Sequence, residues 1–234
     1  MKVEIWSDVV CPFCYIGKRK FEKALSQFEH KNEVEVIWHS YQLNPDAKYI
    51  PGQTIHQLLA KKKGLTEEYA KELHIHMTKT AAEVGLEYNF DKVIPANTFD
   101  AHRLIHFAAK HGQQDKMKER LLLAYFTQGL NVSDHNTLIK LGEEVGLKAE
   151  DVKAMLAGNK MAAEVNADIE EAKTFGIPGV PFFVFNRKYA VSGAKPPEEF
   201  LSALKTAWPE WKKENPFVAI TSSEGDSCTP GNPC

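Results

Sequence analysis

The sequence predicts an α/β fold in which a β-α-β segment at the N-terminus and a β-β-α segment towards the C-terminus share one sheet, with a large all-helical insertion between them. Three observations carry this. Residues 2–38 pass from alternating polarity to helical spacing and back to alternation. Residues 54–165 show helical periodicity throughout. Strand-like runs return at 181–192 and are followed by one more amphipathic stretch.

In the first segment, Lys2 to Trp6 alternates polar and apolar residues, with Val3 and Ile5 on one face. Phe21, Leu25 and Phe28 then fall at helical spacing, which places a helix beginning near Cys11. Glu33 to Trp38 returns to alternation, with Val34, Val36 and Trp38 on one side. A strand, helix and strand in so short a segment imply a parallel pair. Trp6 and Trp38, on these strands, read as core residues.

The helical block carries its own punctuation. Lys61-Lys62-Lys63 reads as a solvated helix end, and the stripe Leu73, Met77, Thr80 and Val84 is closed by Gly85. Asn97 is the expected N-cap of a helix bearing Leu104, Ile105 and Ala108 and ending at Gly112. Further helices end near Gly129, run from Ser133 or Asp134 to Gly146, and carry Ala162, Val165, Ile169 and Ala172.

The third segment begins with strands at Pro181-Phe-Phe-Val-Phe185 and Tyr189–Ser192, joined by a short hairpin at Asn186-Arg187-Lys188. Pro197 opens a final helix with Leu201 and Leu204. Beyond Trp211 the composition shifts to Pro, Gly, Ser and Asn, which predicts a tail without fixed structure. The expected division is therefore 1–53 with 166–212, an inserted helical domain at 54–165, and a tail at 213–234.

Charge narrows the function. The 234 residues carry 29 basic and 31 acidic side chains, a formal net charge of −2. This balance gives no electrostatic reason to expect nucleic acid or an anionic membrane as partner. The sequence contains no unbroken apolar run of membrane-spanning length, about 18 residues or more. Glu4 and Asp8 interrupt the stretch where a signal peptide would need apolar residues, so a cytoplasmic location is expected. The 4 cysteines form two close pairs, Cys11/Cys14 and Cys228/Cys234, too few for a disulfide scaffold.

Cys11-Pro12-Phe13-Cys14 follows a strand and opens a helix. A cysteine at a helix N-terminus faces unpaired N–H groups and the positive end of the helix dipole, and both favour the thiolate. Thiolate is the attacking species in disulfide exchange. Pro12 suits the first helical position because it has no N–H to leave unpaired. Cys14 lies near enough to attack a mixed disulfide formed at Cys11. The competing reading is half of a zinc site, which needs further ligands that only the tail cysteines offer. No metal is expected.

Val180-Pro181 precedes the apolar run 182–185. A proline entering a strand belongs at its start or edge. It reads either as a rigid turn or, beside a C-x-x-C motif, as a cis-proline next to the sulfurs that leaves backbone groups free for a substrate peptide. Asp8, just before the motif, either relays a proton to Cys14 or caps the strand end. His102 and His106 share a helical face but form no zinc motif and read as surface or core residues. The segment from Asn97 to Arg103 is expected to fix the insertion against the redox domain.

With these residues in view, the chain resembles the DsbA-type thioredoxin family. Asp8-Val-Val-Cys-Pro-Phe-Cys-Tyr-Ile-Gly17 and Asn97-Thr-Phe-Asp-Ala-His-Arg103 resemble its cytoplasmic FrnE-like branch. The resemblance spans about residues 1–210. It implies a thioredoxin domain with a helical insertion that catalyses dithiol–disulfide exchange without a bound cofactor. By the same resemblance Cys11 is the nucleophile, Cys14 the resolving cysteine and Pro181 the cis-proline. Val180, Pro12 and Phe13 are then expected to meet the substrate. Partners would be protein or small-molecule thiols and disulfides. Phe13 stands where DsbA proper usually carries histidine. The alternative is a glutathione-dependent isomerase or transferase of the 2-hydroxychromene-2-carboxylate isomerase or kappa class. Those enzymes carry serine where Cys11 stands, and Cys11 followed by Cys14 argues against that assignment. The tail pair Cys228/Cys234 reads either as a second redox centre exchanging with Cys11/Cys14 or as an incidental disulfide or pair of free thiols.

Overall fold

A computed structural model of the chain describes residues 1–216; Cys228 and Cys234 lie outside the described residues. The sheet is built around β1 (Lys2–Ser7), in which Val3, Glu4, Ile5 and Trp6 are all buried. A strand buried on both faces must be internal and covered on both sides. After α1 (Pro12–Ser26), β2 (Glu35–Ser40) runs parallel to β1, with Lys2 opposite Glu35 and Ser7 opposite Ser40. The second strand starts later than its alternation implies, because Lys31–Glu33 turns as a short 3-10 helix first.

The helical block comprises α2 (Ile55–Lys63), α3 (Glu67–Ala82), α4 (Phe99–Ala109), α5 (Gln114–Phe126), α6 (His135–Glu144), α7 (Ala149–Ala157) and α8 (Ala162–Thr174). The chain then returns to the sheet through β3 (Phe182–Phe185) and β4 (Tyr189–Ser192), and α9 (Pro197–Glu214) follows. The strand order is β2-β1-β3-β4, with β3 antiparallel to β1 and β4 antiparallel to β3. Asn186 and Arg187 take positive φ of 51° and 55°, as a tight hairpin between right-twisted strands requires. No described helix is long and apolar enough to cross a membrane.

Two apolar layers hold the sheet. On one face Val3, Ile5, Phe183 and Phe185 join Phe21 of α1 and Phe200 of α9. The Phe183 ring lies 5.5 Å from Phe21 and 4.6 Å from Phe200, within the range of favourable aromatic pairs. On the other face Trp6 and Val184 pack with Ala172 of α8 and Ile177.

Local chemistry corrects one helix start. The N-cap of α4 is Thr98, not Asn97. Asn97 instead accepts from the Phe99 N–H at 2.9 Å and donates to the carbonyls of Pro45 (2.8 Å) and Ala47 (3.2 Å). Its amide ties the 45–47 loop to the start of α4.

Polar contacts bind the helical block to the sheet. Gln114 of α5 accepts from the Trp38 N–H at 3.1 Å and donates to the Trp38 carbonyl at 2.9 Å. The side chain thus satisfies edge groups of β2 that would otherwise offer a template for another strand. Asp168 of α8 is the other anchor. It accepts from the Ser40 N–H at 2.6 Å, and its carboxylate meets His39 at 2.6 Å and His106 of α4 at 2.8 Å. His39 also meets Glu4 at 3.2 Å, and Glu4 accepts from Arg187.

Burial disfavours the His39 imidazolium, but the hydrogen bonds to Asp168 and Glu4 outweigh it and raise the pKa from 6.5 to about 9. Burial likewise opposes the Asp168 and Glu4 carboxylates, yet their partners hold both pKa values below the ordinary range. A raised imidazolium stabilises the fold below its unfolded value and loses that contribution as pH rises through the folded value. The depressed carboxylates contribute above their unfolded values and lose that contribution as pH falls. Denaturant unfolding should therefore show wild type more stable than His39→Gln at pH 6.5 or below, with the gap closing towards about 9. The expected gap is on the order of 2–3 kcal/mol. A pH-independent gap would remove His39 as the titrating anchor.

Candidate active site

The two cysteines meet the end of β1 at the start of α1. Cys11 is the extended N-cap of α1, with Pro12 in its first turn, as the sequence predicts. The Cys14 N–H donates to the Cys11 carbonyl at 3.0 Å, and the Cys11 N–H to the Asp8 carbonyl at 3.3 Å. Both cysteines are free thiols. Cys14 is fully enclosed, whereas Cys11 retains 4% exposure and Phe13 beside it is 46% exposed. Both cysteines are buried, and Cys11 is the less enclosed of the two.

Pro181 packs against α1 beside this motif. The Val180–Pro181 bond is cis, and the Val180 carbonyl lies 3.4 Å from Cys11 Sγ. The Pro181 carbonyl accepts from the Gly193 N–H at 2.8 Å, which ties the loop to the sheet. Gly17 makes the approach feasible, since a Cβ at that position would lie 2.9 Å from Pro181 Cγ. On the other flank, Tyr88 donates its hydroxyl to the Pro12 carbonyl at 2.7 Å and stacks on Phe126 at 4.6 Å.

Behind the sulfurs lies a buried charge cluster. Asp8 accepts from the Leu43 N–H at 2.8 Å and meets His102 Nε2 at 3.3 Å. Burial opposes its ionisation, but these bonds keep its pKa below the usual carboxylate value. Burial also lowers the His102 pKa, so a neutral His102 donates to an anionic Asp8. No hydrogen bond joins the Asp8 carboxylate to either sulfur among the described residues. Lys118 of α5, 1% exposed, completes the cluster and donates to the Ser7 carbonyl at 3.2 Å.

The sulfurs titrate as a coupled pair. Proton sharing with Cys14, followed by burial, lifts Cys11 well above the ordinary thiol value. Cys14 is lowered despite its burial by the same sharing and by the charge of Lys118. The dithiol therefore releases a first proton below the usual thiol range and a second one far above it. The resting negative charge is drawn towards Cys14, while access belongs to Cys11.

The structure brings Cys11, Cys14, Pro12, Phe13, Val180 and Pro181 into one place, with Asp8 set behind them. His102, read from the sequence as a surface or core residue, is buried and belongs to the cluster through Asp8, and His106 instead serves Asp168. Sequence reasoning missed Lys118, Tyr88 and Gly17. Lys118 left one sign: it shares a helical stripe with Leu122 and Tyr125 and is the charged member of an apolar face. Gly17 left another, as a glycine inside a helix. Among the described residues, no group of three or more His, Cys, Asp or Glu side chains could hold a metal ion.

Comparison with known proteins gives this arrangement its class. Residues 2–205 match the DSBA-like thioredoxin domain, and the chain belongs to that family. Across 100% of this chain and 98% of the other, it is similar to the crystal structure of a probable DsbA oxidoreductase from Streptomyces coelicolor, at 38% identity and a TM-score of 0.85. It is 32% identical over 155 residues to the uncharacterized protein YwbO of Bacillus subtilis (strain 168), covering 66% of this chain and 70% of that one. A 2-hydroxychromene-2-carboxylate isomerase shares the fold at 13% identity and a TM-score of 0.64, over 92% of this chain and 98% of the other. The β-α-β and β-β-α segments thus form a thioredoxin-type fold carrying helical additions.

The contact between Gly17 and Pro181 gives a test. Gly17→Val places branched carbon where Pro181 sits, and overpacking of this kind costs about 1–3 kcal/mol. The variant should unfold at lower denaturant, and any thiol–disulfide exchange at Cys11 should slow at least about tenfold, since displacement by an ångström at a reacting centre has larger costs. Wild-type activity in a folded Gly17→Val would show that the α1–Pro181 contact does not position the site.

Proposed function

We propose that this DsbA-like chain is a thiol–disulfide oxidoreductase that exchanges electrons with protein substrates through Cys11 and Cys14. The observation that carries the reading is the asymmetry of the pair: Cys11, at the helix N-cap with its sulfur 3.4 Å from the Val180 carbonyl, keeps a trace of exposure, whereas Cys14 is fully enclosed. An incoming disulfide meets Cys11 first.

Transfer of the Cys11 proton to the Cys14 sulfur, where the resting charge lies, leaves Cys11 as the attacking thiolate and Cys14 carrying the proton. The Cys11–substrate bond forms, the substrate S–S bond breaks, and one substrate sulfur leaves as thiolate. Cys14 gives up its proton and attacks Cys11 Sγ. The Cys11–Cys14 disulfide forms and the second substrate sulfur leaves, so the substrate has gained two electrons. The reverse sequence oxidises a substrate dithiol. Val180, Pro12 and Phe13 line the approach to Cys11, and an extended substrate backbone laid against Val180 fits the cis-proline edge. Asp8 acts in this reading as the buried anion that accepts or returns a proton during resolution. A cytoplasmic site of action, and the division into 1–53 with 166–212 around 54–165, belong to the same reading.

Reduction of insulin by dithiothreitol tests the assignment. Cys11→Ser should abolish catalysis, and Cys14→Ser should accumulate a mixed disulfide with insulin, because attack remains while resolution is lost. Mixed disulfides formed through Cys14 in Cys11→Ser, with none through Cys11 in Cys14→Ser, would overturn the roles. Glutathione-dependent isomerase activity that survives in Cys11→Ser, without protein disulfide reduction by wild type, would favour the glutathione-dependent class. Asp8→Asn should slow resolution of the mixed disulfide by about tenfold or more without slowing its formation. Equal rates for both steps would remove the relay.

A further inference from the structure

Lys118 has no place in the exchange just described, yet its position is costly. Its side chain is 1% exposed, and its ammonium makes one hydrogen bond, to the Ser7 carbonyl. Among the described residues no carboxylate lies within salt-bridge distance of it. A nearby Lys18 on α1, by contrast, is paired with Glu22, Asp115 at 3.3 Å and Glu119 at 3.1 Å. A buried ammonium with no counter-charge is strongly unfavourable, so such groups are paired or neutralised.

The groups facing Lys118 identify the counter-charge. From β1 and the turn after it come the Ser7 carbonyl and the Asp8 carboxylate. From α1 come Cys14, Cys11 and the repelling charge of Lys18. From α4 comes the neutral His102. From β2 comes the Trp38 ring, whose centroid lies 5.5 Å from the ammonium. Asp8 is already engaged by the Leu43 N–H and by His102. Of the opposing charges acting on Lys118, that of Cys14 is the largest, ahead of Asp8 and Cys11.

We propose that Lys118, supplied by α5, is the dedicated electrostatic partner of the dithiol and sets how readily the pair holds a thiolate and how strongly it oxidises. The inference rests on the redox reading of Cys11 and Cys14 and assigns Lys118 a positioning role. In the reduced protein the thiolate charge shared by the sulfurs compensates the ammonium. When the Cys11–Cys14 bond forms and the two electrons leave with the substrate sulfurs, that charge disappears. Lys118 is then left with Asp8 alone. The reduced form gains stability that the oxidised form lacks, so the potential moves in the oxidising direction. Burial lowers the Lys118 pKa to about 8 even with the thiolate present, which makes the ammonium responsive to the loss of its partner.

Three measurements on full-length protein test this. In wild type, isotope-labelled lysine followed by NMR should show the Lys118 signal titrating at least about one pH unit lower in the disulfide form than in the dithiol form. In Lys118→Met, ultraviolet thiolate absorbance should show the first titration of the dithiol raised by about one pH unit or more. The equilibrium constant against glutathione should shift about tenfold towards the protein disulfide, equivalent to about 30 mV. Lys118→Gln, which keeps a donor for Ser7, should behave like Lys118→Met, whereas a purely structural role would be rescued by it. If Lys118→Met does not fold, Lys118→Gln and the wild-type titration decide. Identical Lys118 titrations in the two redox states, or an unchanged thiolate titration in a folded variant, would overturn the proposal. A wild-type pair that does not cycle between dithiol and disulfide would instead overturn the redox reading itself.

Discussion

Two sulfurs are confined at the N-terminus of α1, where the charge of one acts on the other, and much of the surrounding structure follows from holding them there. β1 ends directly beneath the motif, so the central strand fixes where α1 begins. Pro12 starts the helix and Cys11 caps it. Gly17 lets α1 press against Pro181, which brings the Val180 carbonyl to Cys11. The outcome is a pair whose charge and accessibility are separated: the inner cysteine sits near the buried charges of Lys118 and Asp8, and the outer one keeps what exposure the pair has.

The helical additions complete the site. α5 delivers Lys118, α4 delivers His102, and the segment before α4 delivers Tyr88. Their docking depends on polar anchors, chiefly Gln114 on the edge of β2 and Asp168 between His39, His106 and Ser40. Buried polar networks of this kind tie elements together only when their members are satisfied. The sheet and the helical block are thus joined by directional bonds, and the charge environment of the sulfurs depends on that joint.

The order of elements was legible because it rests on local signals. Alternation at residues 2–6, helical spacing after Cys11, the hairpin at Asn186–Lys188 and Pro197 at the start of the last helix each report on neighbours in sequence. The motif itself was legible for the same reason, since the capping position and the C-x-x-C spacing are local. Boundaries were less so: Lys31–Glu33 turns before β2 starts, and Asn97 yields the cap to Thr98 because its amide serves a distant loop. The cluster behind the sulfurs was the least legible part. Asp8 meets His102 across 94 residues and Ser7 meets Lys118 across 111, and periodicity carries no information at that range. Lys118 showed only as a charge on an apolar stripe.

Access and charge are divided between the two cysteines, and cysteine-resolved alkylation measures both. Reduced wild type would be treated with a small alkylating agent across a pH series, and the labelled peptides would be quantified separately. Cys11 should be labelled first at every pH, with a midpoint above the usual thiol value, while Cys14 stays protected until the fold opens. Labelling of Cys14 at least as fast as Cys11, or a Cys11 profile with the midpoint of an ordinary thiol, would contradict that division.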